Sequence, residues 1–165
     1  MNPIEVGIIS DTHGVLRPQA LEALQGVSMI LHAGDVCGQE IIQELSKIAP
    51  VTGVRGNCDT DGFGSHLPLS EAVAVGGVWI YMYHGHTRLD ISPGEAGFKV
   101  VISGHTHVPR LSQGNGVLWI NPGSAGPRRF NLPVTIARLT ICNGEVEARL
   151  IDILTHSETT LSSQF

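Results

Sequence analysis

Three short apolar runs separated by two amphipathic segments open the chain, and this order constrains the fold more than any other feature. The runs cover residues 6–10, 29–33 and 51–54, and polar side chains follow each of them, as is typical of buried strands in a parallel sheet. The intervening segments, 17–24 and 40–48, carry apolar residues at helical spacing and are bordered by prolines. This strand–helix–strand–helix–strand order predicts a parallel sheet with crossover helices.

Pairs of turn-forming residues mark hairpins in the second half of the chain. Gly76-Gly77, Asn115-Gly116 and Asn143-Gly144 are two-residue hairpin signals between apolar segments. A parallel first half and a hairpin-rich second half predict an α/β fold, a four-layer α-β-β-α sandwich with mixed parallel and antiparallel sheets. Since no linker, repeat or low-complexity tract divides the sequence, we expect residues 1–165 to form a single domain.

Composition excludes several classes of protein. Apolar residues make up 42% of the chain and charged residues 15%, which indicates a folded globular protein. No apolar run approaches the roughly 18 residues of a membrane span, and the first residues do not resemble a signal peptide. Three cysteines are too few for a disulfide framework, so we expect a cytoplasmic protein without a membrane partner. A formal charge of -5 without a Lys/Arg cluster argues against long nucleic acids as partners.

Five polar clusters follow apolar runs, and they contain most of the eight histidines. Because ligand sites form at the carboxyl ends of strands in α/β sheets, we expect these clusters to converge. Residues two positions apart point to one side of an extended segment. Carboxylate, imidazole and amide ligands suit Mn, Fe, Ni or Zn, and the lack of a thiolate cluster argues against a structural zinc site. The clusters are Asp11-Thr12-His13, Gly34-Asp35, Gly56-Asn57-Cys58-Asp59, His84-Gly85-His86 and Gly104-His105-Thr106-His107.

Each cluster taken alone also has an ordinary structural interpretation. Asp11 and His13 suit a helix cap, and Asp35 and Asn57 suit turns. His32 lies inside an apolar run, which indicates a buried structural role. Five separate structural explanations account for the set less well than one metal site, so the metal site is favoured.

The five clusters, in this order, resemble the calcineurin-like metallophosphoesterase superfamily, in particular its small, minimal phosphodiesterase branch. The resemblance extends over residues 8–126 and implies a site for two divalent metal ions, with Mn as the first choice and Fe, Ni or Zn as alternatives. It implies three ligands for each ion and one bridging aspartate. The first ion would take Asp11, His13 and His107, the second Asn57, His84 and His105, and Asp35 would bridge them.

The resemblance also implies the reaction. Two divalent ions would acidify a shared water, and the metal-bridging hydroxide would attack a phosphoester without a protein nucleophile. Asp35, Asn57 and His84 are therefore expected in the catalytic group, and His86 is expected to contact substrate or to pack. Where the wider superfamily often has a histidine that assists the leaving group, this chain has Cys58. Because a thiol is a weaker proton donor, we expect aryl phosphodiesters to be favoured substrates.

Other functions stay open at this stage. The same metals would serve a phosphomonoesterase, because they do not select between small phosphoester substrates. A non-catalytic metal-binding scaffold resembling the retromer subunit of eukaryotes is the structural alternative. In that subunit the bridging aspartate and the metal-binding asparagine are altered, whereas this chain retains Asp35 and Asn57. A nuclease acting on long DNA is disfavoured by the acidic balance.

Three further segments carry weaker expectations. Residues 121–124 resemble a loop common in the small branch, with a plain turn as the alternative. Arg128 and Arg129 suit either a phosphate clamp or an exposed, solvated pair. Residues 92–97 permit only a turn or so of helix, so we expect a thin outer layer there. That layer would suit the interface of a homo-oligomer, since the resemblance implies a dimer or tetramer.

Overall fold

A computed structural model describes residues 2–163 of the chain. Its elements alternate strands and helices in the first third and are mostly strands afterwards. In chain order they are β1 (Ile4–Ile9), α1 (Pro18–Ala23), β2 (Met29–His32), α2 (Gln39–Ser46), β3 (Val51–Gly53), a 3-10 helix (Gly64–His66), β4 (Ser70–Val75), β5 (Val78–Tyr83), β6 (Val100–Ile102), β7 (Arg110–Gly114), β8 (Val117–Asn121), β9 (Thr135–Cys142), β10 (Glu145–Asp152) and β11 (Glu158–Ser163).

The strands form two mixed sheets, which confirms the predicted α/β fold. The first sheet has the order β11-β10-β9-β1-β2-β3, in which β1, β2 and β3 are parallel and the remaining neighbours are antiparallel. The second has the order β4-β5-β6-β8-β7, with β5, β6 and β8 parallel. All three predicted hairpin turns have positive φ at both central residues, as a type I′ turn requires.

Apolar side chains fill two layers of the molecule. The space between the two sheets contains one buried cluster, which includes Ile8, Leu31, Ile80, Met82 and Ile120. A second cluster lies between the outer face of the first sheet and the two helices. Ala20 and Leu45 of the helices contact it from outside, and Ile9 and Ile30 of the strands from inside. Both helices therefore pack against the outer face of the first sheet, next to the strands whose ends carry the polar clusters.

The outer face of the second sheet carries turns in place of a helix. Residues 93–97 form successive turns, and Phe98 beyond them packs against Tyr81 of β5, with 5.3 Å between ring centroids. Trp79 of the same strand is half exposed. Within residues 2–163 no helix covers this face, so the fourth layer is as thin as the composition of 92–97 predicted.

The five polar clusters all follow strands of the two sheets. The first three come after β1, β2 and β3 of the first sheet, and the last two come after β5 and β6 of the second. Parallel strands that lie next to each other end at the same edge, so each sheet gathers its clusters at one edge.

None of the helices in the described part of the chain is long and apolar enough to cross a membrane.

Candidate metal centre

Backbone hydrogen bonds hold the five loops together. Asp11 donates its N–H to the carbonyl of Gly34 and His13 donates to Asp35, both at 2.9 Å, so the loops after β1 and β2 run side by side. The backbone N–H of His105 donates to Asp11 Oδ2 at 3.0 Å. This last bond connects a loop of the second sheet to a loop of the first, and therefore fixes the two halves of the site relative to each other.

The first group of side chains consists of Asp11, His13 and His107. The two imidazoles face each other, with 3.2 Å between their Nε2 atoms. Asp11 Oδ1 lies 3.2 Å from Nε2 of His107 and 3.7 Å from Nε2 of His13. Three potential ligand atoms from two loops, the loops after β1 and β6, thus lie close together.

The second group consists of Asn57, His84 and His105. Asn57 Oδ1 lies 3.2 Å from Nε2 of His84 and 3.0 Å from Nδ1 of His105. His84 Nδ1 is 2.7 Å from the carbonyl oxygen of Ala33, to which it donates in the neutral tautomer. That bond fixes the orientation of the ring, so Nε2 faces Asn57 and Asp35, and metal-binding histidines are usually oriented by such a bond at their other nitrogen.

Asp35 lies between the two groups. Its Oδ2 is 3.3 Å from Nε2 of His84 and 3.6 Å from Nε2 of His13, so one carboxylate oxygen faces a member of each group. Its Oδ1 accepts the backbone N–H of Cys58 at 2.8 Å. The carboxylate is therefore held by the third loop while it contacts the other groups.

The donor atoms fit divalent cations. Asp11 is fully buried, and within residues 2–163 its Oδ1 has no hydrogen-bond donor of acceptable geometry. A buried carboxylate oxygen without a partner is costly, and a cation removes that cost. The donor set also matches, because carboxylate and imidazole ligands suit Mn, Fe, Ni or Zn.

Five of the seven predicted ligands have a left-handed backbone, which is rare for residues other than glycine. Such conformations cost on the order of 1–3 kcal/mol each and cluster at functional sites, where surrounding structure maintains them. In this backbone conformation the side chains of neighbouring loops point towards one another at the site. The residues and their φ values are Asp11 (53), His13 (46), Asp35 (54), His105 (69) and His107 (60).

The electrostatics of the site keep both aspartates ionised. Burial alone would raise the pKa of Asp11, but the His107 imidazole and the Ser10 hydroxyl outweigh it and lower the pKa. The pKa of Asp35 is also lowered, because hydrogen bonding to His84 and to the Cys58 backbone outweighs its burial. The two carboxylates thus give a negative site that attracts cations.

Two further residues support the ligand loops, and the first of them, Ser10, was not predicted from the sequence. Ser10 donates its hydroxyl to Asp11 Oδ2 at 2.6 Å and is fully buried. The carboxylate of Asp59 accepts the backbone N–H groups of Cys37 at 2.9 Å and Gly56 at 2.8 Å. Asp59 therefore anchors its own loop to the loop after β2. The sequence signal for both is their position beside a predicted ligand or within a cluster.

His32 is buried, as its place in an apolar run predicted. Its Nε2 lies 3.0 Å from the hydroxyl of Thr12, and its Nδ1 accepts the backbone N–H of Gly34. Burial lowers the pKa of His32 to about 4, so the imidazole is neutral at pH 7. It positions the residues that flank Asp11 and Asp35.

The remaining predicted residues lie around the two groups. His86 is half-buried, and its ring centroid is 5.4 Å from that of His84. Cys58 is exposed, and its Sγ lies within 4.8 Å of ligand atoms of His13 and Asp35. Asn121 and Ser124 are buried behind the ligand loops, where they bond to Gly104 and Asp11.

The two mixed sheets and the groups of side chains at their edges define an α/β protein with a candidate metal centre. Residues 4–144 match the calcineurin-like phosphoesterase superfamily domain, and the chain belongs to this family. The predicted resemblance is confirmed.

Relatives in this family agree with the small phosphodiesterase branch. The chain is 34% identical over 161 residues to a probable metallophosphoesterase of Methanocaldococcus jannaschii, covering 90% of this chain and 81% of that protein. It is 27% identical over 154 residues to phosphodiesterase YfcE of Escherichia coli, covering 79% and 84%. Vacuolar Protein Sorting 29 from Cryptosporidium parvum superposes with a TM-score of 0.81 at 23% identity, covering 99% and 98%, and this likeness concerns the fold alone.

Proposed function

We propose that this chain hydrolyses small phosphodiesters with two divalent ions, Mn²⁺ by first choice. The observation that carries the proposal is the place of Asp35, whose Oδ2 lies within 3.6 Å of imidazole nitrogens from both ligand groups. A shared carboxylate at that point suits a pair of ions better than a single one. The first ion would be held by Asp11, His13 and His107. The second ion would be held by Asn57, His84 and His105. Asp35 would contact both ions.

The chemistry divides between the ions and the chain. When bound, the ions acidify water to supply the attacking hydroxide and neutralise charge on the phosphoryl oxygens. The chain orients the ligands: the bond from His84 to Ala33 fixes the orientation of the imidazole ring, and the bond from the Cys58 N–H fixes Asp35. His86 stands beside His84, where its imidazole would contact substrate.

Cys58 would be a weak proton donor to a leaving group. Its Sγ lies within 4.8 Å of ligand atoms of His13 and Asp35. Burial together with the charge of Asp35 raises the pKa of Cys58, so the thiol stays protonated at neutral pH. A thiol donates poorly to an alkoxide, because its hydrogen bonds are weak. Acidic leaving groups do not need such help, so aryl phosphodiesters are the substrates we favour.

Hydrolysis of bis(p-nitrophenyl) phosphate tests the proposal. Metal-stripped protein should be inactive, and reconstitution with Mn²⁺ should restore release of p-nitrophenolate together with two bound ions per chain by elemental analysis. Zn, Ni and Fe reconstitutions compare the metals. Hydrolysis that is indifferent to metal removal, or one bound ion per chain, would contradict the dinuclear site.

Two alternatives are separated by the same assay. A phosphomonoesterase would turn over p-nitrophenyl phosphate faster than the diester. The likeness to Vacuolar Protein Sorting 29 favours a scaffold as the other alternative. A scaffold would bind the ions without hydrolysing either ester.

We also propose that residues 1–165 act as one metallophosphoesterase domain that assembles as a dimer or tetramer. The half-exposed Trp79 on the thinly covered face of the second sheet supports an interface there. Light scattering should give a mass of at least twice the 17.6 kDa of the chain, and Trp79→Lys should lower it. A monomeric wild-type protein would refute the assembly.

The cytoplasmic location stays a prediction.

A further inference from the structure

A cavity of about 660 Å³, which we name the outer cavity, lies against β7 and β8 at one end of the second sheet. Sites for small organic ligands usually enclose about 300–1,000 Å³, so the outer cavity has the size of such a site. The residues that line it include Ser103, Thr106, Arg110, Ser112, Trp119 and Asn121.

Strand alternation makes an indole and a guanidinium neighbours in the outer cavity. Leu118 and Ile120 belong to the apolar cluster between the sheets, so Trp119 between them points to the opposite face, where it is half-buried. Ser112 of β7 pairs with Trp119, and Arg110 lies two positions before Ser112 on the same face. Such diagonal neighbours are about 7–8 Å apart, which long and aromatic side chains can span.

Arg110 is the only charged residue among those that line the outer cavity, and it is exposed. Within residues 2–163 its guanidinium forms no ion pair. Asp152 borders a neighbouring cavity with it, but Asp152 Oδ1 accepts two backbone N–H groups of its own turn. A single positive charge among neutral residues suits a ligand with one negative charge, and a planar guanidinium pairs well with a carboxylate.

The outer cavity shares a wall with one ligand loop of the metal centre. Thr106, which stands between the predicted ligands His105 and His107, lines the cavity. Asn121, another lining residue, donates its Nδ2 to Thr106 Oγ1 at 3.1 Å and to the carbonyl of Gly104 at 2.9 Å. A ligand in the cavity would therefore contact residues that hold this loop in place.

We propose that the outer cavity binds a small planar aromatic carboxylate. The carboxylate pairs with the Arg110 guanidinium, and the aromatic ring stacks on the Trp119 indole. A neutral ring satisfies only the stacking contact, and a saturated acid satisfies only the charge, so the ligand needs both properties. The inference goes beyond the proposed function, because this site contains none of the predicted metal ligands.

Calorimetry with three probes of similar shape tests the site. Naphthalene-2-carboxylate has the ring and the charge, naphthalene-2-carboxamide lacks the charge, and decahydronaphthalene-2-carboxylate lacks the aromatic ring. Mn²⁺-loaded wild type should bind the aromatic carboxylate about fivefold more tightly than either of the other probes. The preference should persist in metal-stripped protein, because the site needs no metal ion. Binding that requires Mn²⁺ would place the probe at the metal centre and overturn the site.

Substitutions at the two proposed contacts locate the binding. Arg110→Gln should weaken the aromatic carboxylate about fivefold and leave the carboxamide unchanged. Arg88→Gln is the matched control, because Arg88 is exposed and does not line the cavity, and it should change no probe. Trp119→Leu should weaken both naphthalene probes about tenfold, whereas Trp119→Phe should retain the preference.

The arginine variant keeps the test decisive if Trp119→Leu does not fold. Arg110 is exposed and unpaired in the described part of the chain, so Arg110→Gln should give the circular dichroism spectrum of wild type. Equal binding of the three probes by wild type would refute the site. An unchanged preference for the aromatic carboxylate in folded Arg110→Gln would refute it as well.

Discussion

Asp35→Asn is expected to remove nearly all hydrolysis of bis(p-nitrophenyl) phosphate. The substitution keeps the size of the side chain and the acceptor for the Cys58 N–H, but it removes the negative charge that faces His13 and His84. Metal ions supply several kcal/mol of transition-state stabilisation, and each 1.36 kcal/mol is tenfold in rate, so kcat should fall by about a thousandfold or more. Steady-state kinetics at saturating Mn²⁺ measure the loss.

The control is Asp90→Asn, which makes the same chemical change at an exposed aspartate. It should keep wild-type turnover and metal content. Elemental analysis of Asp35→Asn should give fewer than two ions per chain, while circular dichroism should show a folded protein. Near-normal turnover in Asp35→Asn would show that the two ligand groups do not share this carboxylate.

The ligand loops were predictable because each of them joins two local signals, an apolar run and a polar cluster directly after it. Each predicted ligand follows an apolar run that the structure places in a strand or at its end, and the strand ends gather the loops. The hairpin turns were predictable for a similar local reason, since Asn115-Gly116 and Asn143-Gly144 accept positive φ at little cost. These features depend on neighbouring residues, which a sequence displays directly.

Features that depend on distant residues were harder to predict. The parallel pairing of β5, β6 and β8 joins segments separated by long connections, and no local pattern selects these partners. Strand β11 was missed altogether. Its sequence, Glu158–Ser163, is polar and mostly exposed, so it lacks the apolar alternation that identifies a half-buried strand.

The same limit applies to the residues that support the site. The hydroxyl of Ser124 donates to the carbonyl of Asp11 at 2.9 Å, although 113 positions separate the two residues. Asn121 donates to the carbonyl of Gly104 in the same way. Sequence reasoning placed residues 121–124 in a loop common in the small branch, but only the packed structure shows that they hold other loops in strained conformations. Such strain persists only where surrounding contacts impose it.

Gly56→Ala tests how closely the loops must pack around the bridging position. Gly56 precedes Asn57, and a β-carbon on it would overlap the backbone N and the Oδ1 of Asp35. Backbone cannot move aside as a flexible side chain does, so the added methyl should displace Asp35. Overpacking of this kind costs about 1–3 kcal/mol of the free energy of unfolding. A displacement of about 1 Å in a catalytic site can lower the rate about a hundredfold.

Gly62→Ala is the matched control, because it adds a methyl to the same loop region where nothing lies within 4 Å. It should leave turnover unchanged and the free energy of unfolding unchanged or raised by about 0.4–1 kcal/mol, since alanine restricts the unfolded chain. Chemical denaturation and elemental analysis should show that Gly56→Ala is folded in buffer but binds fewer ions. Turnover and metal content equal to wild type in Gly56→Ala would mean that the site tolerates movement of Asp35. In that case the close approach of Gly56 would serve the packing of the loops, and the geometry of the bridging carboxylate would not limit the reaction.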